Sequence, residues 1–441
     1  MSTAEDIHRL ATPLRSEADL DPLMERIGDA SYVLLGEASH GTHEFYDWRA
    51  AITRRLITEK GFSFVGVGVE GDWPDCYRVN LSVIGSSDAP ADPADALVGF
   101  ERWPTWMWAN DDVVTFTRWL RQHNQALPAE QRVGFFGLDV YSLWDSLYAT
   151  LDYLHEHEPG NVDAAMTALD CFGPYAEDPQ AYARATRLVP TNCQAEVVAM
   201  LTELIRSGSP QGMALADERF NAEQNAAVVA GAEAYYRAMV TGGASSWNVR
   251  DHHMVETLDR LVTHHRGRAD GWPVKAVVWE HNTHIGDARY TDMSSAGMVN
   301  VGQLARERYG EDDVVLVGFG SHCGTVIAAD QWGARTQTMQ VPEARAGSTE
   351  ALLHATLAEP AALFVFPDDP DEHPEWLREA RDYRAIGVVY HPEAERWGNY
   401  VQTVLGRRYD AFCWFDRTEA LSTLHGTRAM AGEMETWPHG R

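Results

Sequence analysis

The chain has very few lysines: only Lys60 and Lys275 occur among its 36 basic residues. A lysine that forms a Schiff base would have to be one of these two. A phosphate-binding G-x-x-x-x-G-K-[ST] loop is absent from the 441 residues, and so is any run of 18 apolar residues. These absences exclude P-loop phosphate chemistry and argue against a membrane-spanning chain.

Cysteine is also scarce, and its five residues are far apart with no C-x-x-C pair. This pattern predicts free thiols in a reducing compartment, and neither a disulfide framework nor a thiolate metal site. The first residues lack the apolar segment of a secretory signal, so we expect a cytoplasmic protein.

The chain has far fewer basic residues than acidic residues. The sequence has 65 Asp and Glu against 36 Lys and Arg, a formal net charge of −29. Because nucleic acids and anionic membrane surfaces require clustered cations, we expect neither as a partner. Hydrophobic residues make up 45% and charged residues 23%, as in an ordinary folded globular protein.

Short, continuous apolar runs bounded by turn residues predict the strands. Continuous rather than alternating hydrophobicity is typical of strands covered on both faces, so a mostly parallel central sheet flanked by helices is expected. The clearest helix pattern lies at residues 44–59, and the alternation of strands and helices predicts an α/β fold. The predicted strands are residues 32–35, 62–69, 133–138, 274–279, 314–319, 362–366, 386–390 and 411–415.

One long interval contains helical patterns and no strand pattern. We interpret residues 142–268 as a helical insertion that forms a cap over the edge of the sheet at which the strands end. The predicted division of the chain is therefore 1–141 and 269–425 for the two parts of the α/β core, 142–268 for the cap, and 426–441 for a peripheral tail. We expect Trp103, Trp106 and Trp108 to roof an apolar cleft, with core packing as the alternative.

Polar clusters follow directly after five of the predicted strands. Glu37 and His40 follow the first strand, Glu70 ends the second, and His281 and His284 follow the fourth. In a parallel sheet these positions lie along one edge, where ligands bind beyond the carboxyl ends of the strands. We therefore expect residues more than 200 positions apart to meet in one site.

This combination of side chains favours hydrolysis by an activated water. Histidine exchanges a proton near neutral pH, and a carboxylate bonded to its second nitrogen fixes its tautomer. Carboxyl groups buried together raise at least one pKa, which supplies a general acid. Arg49, nine positions after His40, is expected to balance a carboxylate or to hold a substrate oxyanion.

Metal binding is the competing interpretation. The spacings His40-x-x-His43 and His281-x-x-His284 suit chelation, and nearby glutamates would complete a site for one divalent metal ion. Neither pair forms the HExxH motif of zinc hydrolases.

Several of these motifs resemble the erythromycin esterase family, over roughly residues 30–425. The resemblance rests on residues 36–41 (GEASHG) with Glu44 and Arg49, residues 69–75 (VEGDWPD), residues 279–284 (WEHNTH), and residues 387–390 with 409–411.

The resemblance implies an α/β core with an added helical region, and hydrolysis of a macrolide lactone by a histidine-activated water, an activity associated with antibiotic resistance. It also implies a small-molecule ester or lactone as partner, and no cofactor. The implied catalytic residues are His40, Glu37, Glu70, His281 and His284, and Arg49 matches an arginine of the family's first helix. Independently of the resemblance, we expect His43 and Glu280, together with Arg49, to bind substrate or to balance charge.

Two features of the resemblance keep other functions open. Glu280 stands where the family pattern has a small residue, and a further carboxylate there alters local pKa values or favours a cation. The family is also remotely similar to haem-binding α/β proteins. A metal-dependent hydrolase or lyase, or a protein that binds haem or a small ligand, therefore remains the alternative.

Overall fold

The predicted α/β fold is confirmed, with eleven strands in the described part of the chain. The computed structural model describes residues 2–62, 64–175, 179–188, 192–206, 213–240, 243–267 and 273–425. The strands are β1 (Ala11–Pro13), β2 (Tyr32–Leu35), β3 (Phe64–Asp72), β4 (Phe135–Asp139), β5 (Lys275–Trp279), β6 (Val314–Ala328), β7 (Gln337–Val341), β8 (Ala361–Val365), β9 (Ala380–Arg384), β10 (Tyr400–Val404) and β11 (Ala411–Thr418).

Nine of these strands form one sheet with the order β1-β8-β11-β6-β2-β5-β3-β4, and β7 pairs with β6. The six strands from β11 to β4 in this order run parallel to one another. Strands β1, β7 and β8 form the antiparallel pairs of the sheet. β9 and β10 form a separate antiparallel pair. The sheet is therefore mostly parallel, as its continuous apolar strands predict.

Helices cover both faces of the sheet, which buries every residue of β2, β4 and β5. The predicted helix at 44–59 is present as α3. No helix in the described ranges is both long and apolar enough to cross a membrane. The helices are α1 (Thr3–Leu10), α2 (Asp21–Ile27), α3 (His43–Glu59), α4 (Trp73–Val83), α5 (Pro93–Leu97), α6 (Asp111–Gln125), α7 (Leu143–His157), α8 (Val162–Phe172), α9 (Pro179–Leu188), α10 (Gln194–Arg206), α11 (Met213–Met239), α12 (Ser245–Arg266), α13 (Asn282–Ile285), α14 (Val301–Tyr309), α15 (Thr349–Thr356), α16 (Glu375–Arg378), α17 (Glu395–Gly398) and α18 (Leu405–Arg408).

The predicted strand at 386–390 is wrong. This segment follows β9 and forms only isolated bridges, Ser39 with Ile386 and Ala329 with Val389. The backbone N–H of Ile386 donates to the Ala38 carbonyl at 2.8 Å. Ile386, Val388 and Tyr390 are buried because the segment packs along the end of the sheet rather than within it.

The helical cap is present, formed by α7 to α12. The described residues between 142 and 267 contain no strand, and they bury an apolar cluster of their own. Helix α12 packs against β3 and β4 and thereby reaches the carboxyl edge of the sheet. A division into separate domains at 142 and 268 stays a prediction, and the predicted tail 426–441 lies outside the described residues.

The tryptophans at 103, 106 and 108 are core residues. Each is at most 3% exposed and belongs to the apolar cluster under α3 and α6. Trp108 Nε1 donates to the backbone oxygen of Glu70 at 3.0 Å. The expectation of a tryptophan roof is therefore wrong, because these rings anchor the loop before α6 in the core.

The expectation that all cysteines are free is also wrong. Cys171 and Cys193 form a disulfide within the cap, whereas Cys76, Cys323 and Cys413 are free and buried. The pair is 22 residues apart in sequence, but packing of α8 against α10 brings the two Cα atoms to 5.8 Å.

Candidate active site

The predicted site residues follow three neighbouring parallel strands. β2 pairs with β5, and β5 pairs with β3, so their carboxyl ends lie side by side. Glu37 follows β2, Glu70 lies near the end of β3, and Glu280 and His281 follow β5. All four are at most 3% exposed, which places a set of buried ionisable groups at the sheet edge where ligands bind in parallel sheets.

His40, Glu37 and Arg49 form a hydrogen-bonded row. The His40 Nδ1 atom lies 2.9 Å from Glu37 Oε1, and Arg49 Nη2 donates to Glu37 Oε2 at 2.8 Å. A proton on Nδ1 that faces the carboxylate leaves the lone pair of the ring on Nε2. The carboxylate is held by the arginine, so the imidazole has the orientation and tautomer of a general base.

Two glycines allow this loop to pass close to its neighbours. A Cβ atom on Gly36 would overlap the side-chain oxygen of Asn282, and one on Gly41 would overlap the carbonyl of Ile327. Gly36 and Gly41 therefore fix the positions of Glu37 and His40 against α13 and β6.

Glu70 connects the cap to the α13 segment. Its Oε1 accepts from Arg250 Nη2 at 2.8 Å, and its Oε2 accepts from the backbone N–H of His281 at 2.8 Å. Burial opposes ionisation, but the neighbouring His284, His40 and Arg250 outweigh it and hold the pKa of Glu70 well below its usual value. Glu70 is therefore a buried carboxylate anion.

His284 lies between two carboxylates. Its Nδ1 is 2.9 Å from Asp251 Oδ1, its Nε2 is 3.3 Å from Glu70 Oε1, and its ring stacks on Trp247 at 4.4 Å. Burial disfavours the charged ring, but Asp251 and Glu70 outweigh it and raise the pKa of His284 to about 10. At neutral pH, His284 is an imidazolium with both nitrogens bonded to acids.

His281 has the opposite protonation. Its Nδ1 accepts from the backbone N–H of Thr283 at 3.2 Å, which places the ring proton on Nε2. Burial and the neighbouring His40 lower the pKa of His281 well below its usual value. The two ring centroids are 4.9 Å apart. Nε2 is buried and makes no hydrogen bond within the described residues, although the Ala38 carbonyl is near enough to favour a proton on the ring.

Glu280 is a fully buried acid on the same edge. Neither carboxyl oxygen has a hydrogen-bond partner among the described residues. Burial raises the pKa of Glu280 well above its usual value; the charge of His284 opposes this, and those of Glu70, Asp251 and Asp139 add to it. Burial therefore favours the protonated, neutral form of the Glu280 carboxyl group.

The structure does not bring His43 into this cluster. His43 is the first residue of α3, and its Nδ1 lies 2.9 Å from Asp112 Oδ2 at the start of α6. The hydrogen bond to Asp112 raises the pKa of His43 to about 9. The side chain is 45% exposed. His43 therefore forms a surface ion pair between two helices.

Two residues of the cluster, Arg250 and Asp251, are missing from the sequence prediction. Arg250 and Asp251 lie on α12 of the cap, and Arg250 also binds Asp139 at the end of β4, with Nε 2.9 Å from Oδ1. The signal was present in the sequence: at helical spacing, both α12 residues share a face with the apolar Trp247 and Met254. Charged residues on such a face require buried partners.

The carboxylates of this site have cationic partners within the protein. Glu37 pairs with Arg49, and Glu70 pairs with Arg250 and His284. No group of three or more His, Cys, Asp or Glu side chains suited to a metal ion occurs in the described parts of the chain.

Known proteins share this fold along nearly the full chain. A Bacillus cereus structure has a TM-score of 0.75 at 19% identity, and covers 96% of this chain and 98% of its own. A succinoglycan biosynthesis protein has a TM-score of 0.73 at 19% identity, and covers 95% and 97%. A histidine-to-asparagine mutant of erythromycin esterase EreC in its open conformation has a TM-score of 0.66 at 16% identity, and covers 92% and 95%.

Sequence comparison gives the family. An Escherichia coli protein described as erythromycin esterase type II is 27% identical over 138 residues, which are 31% of this chain and 30% of that protein. The match thus spans less than a third of this relative. The profile of the erythromycin esterase family matches residues 57–418, which is most of the sequence. The chain therefore belongs to the erythromycin esterase family, a family of hydrolases.

Proposed function

We propose that this chain hydrolyses a carboxylic ester or lactone by means of a water molecule that His40 activates. The proposal rests on the buried row of His40, Glu37 and Arg49, in which a carboxylate held by an arginine orients the imidazole. This arrangement supports a general base without a side-chain nucleophile.

The reaction proceeds in two steps. His40 takes a proton from water while the water oxygen bonds to the carbonyl carbon, and the π electrons of the carbonyl move to its oxygen. When the intermediate collapses, the bond to the alcohol oxygen breaks, and the departing alkoxide takes the proton from His40.

His281 and His284 have different roles in this scheme. His281 is neutral, carries its proton on Nε2 and lies beside His40, which suits a donor to the substrate. His284 is a fixed cation that balances Glu70, and Glu70 in turn holds the backbone of His281. Of these two histidines, His281 is therefore the one that we propose to contact the substrate, and His284 and Glu70 position it.

We propose that the substrate is a lactone or ester of a bulky natural product, and that no metal ion or other cofactor takes part. Two relatives named as erythromycin esterases support a macrolide as the first candidate. The arginine and imidazolium partners of Glu37 and Glu70 support a site whose charge is balanced by the protein itself.

Mass-shift screening tests this function. The purified protein is incubated with macrolides, smaller lactones and simple esters, and His40→Ala is the control. A lactone that opens gains the mass of one water, and an ester gives an acid and an alcohol, only with the wild-type protein. Absence of any product across the panel, or equal product with His40→Ala, would overturn the proposal.

A further inference from the structure

Tyr46 carries a buried hydroxyl next to the proposed general base. It lies on α3, one turn before Arg49, and is 1% exposed. Within the described residues its hydroxyl makes no hydrogen bond of normal geometry, although Arg49 is close enough to lower the pKa of the phenol. Arg49 Nε and Nη1 and His281 Nε2 are likewise buried without a hydrogen bond among those residues. Buried donors without acceptors are uncommon, because each loses its bonds to water and gains nothing in return.

Tyr46 lies against the hydrogen-bonded row of His40, Glu37 and Arg49. The Arg49 guanidinium carbon lies 4.2 Å from the centre of the Tyr46 ring, so the guanidinium covers the ring face while its Nη2 binds Glu37. Glu37 Oε1 in turn faces His40 at 2.9 Å. The centroids of the Tyr46 and Trp108 rings lie 6.1 Å apart in an edge-type contact, and Trp108 Nε1 donates to the backbone oxygen of Glu70. Tyr46 is therefore fixed between the Glu37 and Glu70 ends of the cluster.

The chemical state of Tyr46 suits a donor. Burial, together with the negative charge of Glu37, raises the pKa of the Tyr46 phenol well above its usual value. The hydroxyl is therefore protonated near neutral pH and can donate a hydrogen bond. A site that stabilises developing negative charge needs such donors fixed in advance, in a place that excludes water.

We propose that Tyr46 is a catalytic residue whose hydroxyl donates a hydrogen bond to the acyl oxygen of the substrate. The inference rests on the proposed ester hydrolysis. As the water oxygen bonds to the carbonyl carbon, the π electrons move onto this oxygen, and the Tyr46 O–H, Arg49 Nη1–H and His281 Nε2–H face the resulting oxyanion. Tyr46 keeps its proton, and His40 alone carries the proton that passes from water to the alcohol.

Tyr46→Phe with a matched control tests this role. The probes are p-nitrophenyl acetate and ethyl acetate, which share the acyl group and differ in the leaving alcohol. Loss of one oxyanion donor lowers kcat about 10²–10³-fold with little change in KM. The loss is equal for both esters, because the acyl oxygen is common to them. Tyr32→Phe is the control, because it removes another buried, unpartnered hydroxyl at the opposite end of β2 and leaves kcat unchanged.

Three results would overturn the inference. These are a kcat for Tyr46→Phe within a few-fold of wild type, a loss that appears in KM rather than kcat, or a loss much larger for ethyl acetate, which would make Tyr46 a proton donor to the alcohol. If Tyr46→Phe does not fold by circular dichroism, 3,5-difluorotyrosine at position 46 replaces it. Its phenol is more acidic and therefore a stronger hydrogen-bond donor, so kcat changes by the same factor for both esters while KM stays the same. An unchanged kcat overturns the inference. If wild type hydrolyses neither probe nor any member of the ester panel, the proposed function itself has failed.

Discussion

At the scale of single residues, the two histidines after β5 show how partners decide protonation. His281 and His284 are three positions apart and equally buried, yet burial and His40 lower the pKa of the first, while Asp251 and Glu70 raise that of the second to about 10. The sequence motif gives both histidines the same appearance. Only the partner of each nitrogen separates a neutral donor from a fixed cation.

His40 provides the first prediction. His40→Ala should lower kcat about 10²–10⁴-fold, the usual contribution of a general base, while thermal unfolding stays close to wild type. His43→Ala is the matched control, because His43 is also bonded to a carboxylate through Nδ1 but faces α6. Steady-state hydrolysis of a substrate found in the screen gives the rates. Equal losses in the two variants would show that the row of His40 and Glu37 has no special role.

Glu280 provides a prediction about stability. A carboxyl group whose pKa is raised by folding binds its proton more tightly in the folded state, so its contribution to stability falls as pH rises above its ordinary value near 4.5. Glu280→Gln keeps the size and the neutral state of the acid and removes this dependence. The variant should match or exceed wild type in unfolding free energy at pH 7 and above, and lose that advantage below pH 4.5.

Urea unfolding between pH 4 and pH 9 measures this difference, within the range where both proteins fold reversibly. Glu256→Gln is the control, because Glu256 is exposed on α12 and its replacement leaves the pH profile unchanged. A difference between Glu280→Gln and wild type that does not vary with pH would show that Glu280 is charged in the folded protein.

At the scale of elements, most strands could be predicted because a parallel sheet demands continuous apolar segments. The same rule fails at 386–390, since an apolar run that crosses the end of a sheet is as buried as one within it. The antiparallel strand β7 is not predicted, because three of its five residues are exposed and it therefore lacks a continuous apolar segment.

The site could be predicted only where its residues follow strands of the core. Glu37, His40, Glu70, His281 and His284 all do, and the structure gathers them at one edge. Contacts made by the cap depend on how α12 lies across the sheet, and no local pattern fixes that geometry. Tautomers and unpartnered hydroxyls likewise depend on neighbours that are distant in sequence.

The contact between α12 and α13 provides the third prediction. Asp251→Asn removes the carboxylate that faces His284 Nδ1, and breaking such a buried pair costs about 3–5 kcal/mol of unfolding free energy. Because the folded-state pKa of His284 is raised to about 10 from 6.5, its stabilisation is complete below pH 6.5 and is lost as pH rises through 10. The variant should lose this stabilisation at a lower pH than wild type.

Denaturant unfolding from pH 6 to pH 11 measures that shift. Asp259→Asn on the same helix is the matched control, because Asp259 pairs with Arg308 at the surface and is partly exposed. Its effect should remain within about 0.5 kcal/mol at each pH. If the profile of Asp251→Asn runs parallel to that of wild type, Asp251 does not set the charge of His284.

At the scale of the whole molecule, the acidic surface and the balanced site behave differently toward cations. The net charge of −29 attracts divalent ions to the surface without fixing them in place. Within the buried site, Arg49, Arg250 and His284 already neutralise the carboxylates of Glu37 and Glu70. A bound divalent ion would have to displace these cations from the carboxylates. Their charges would then be buried without partners, which costs free energy.

Exhaustive chelation followed by gel filtration should therefore leave kcat and KM for the screened substrate unchanged. Readdition of Zn²⁺, Mn²⁺ or Mg²⁺ should restore nothing, since nothing has been lost, and any effect of these ions should follow ionic strength alone, as surface binding does. The matched comparison is NaCl at the same ionic strength. Loss of activity on chelation that returns with one metal and not with Na⁺ would favour the metal-dependent alternative, with Glu280 and the two histidine pairs as the first ligands to mutate.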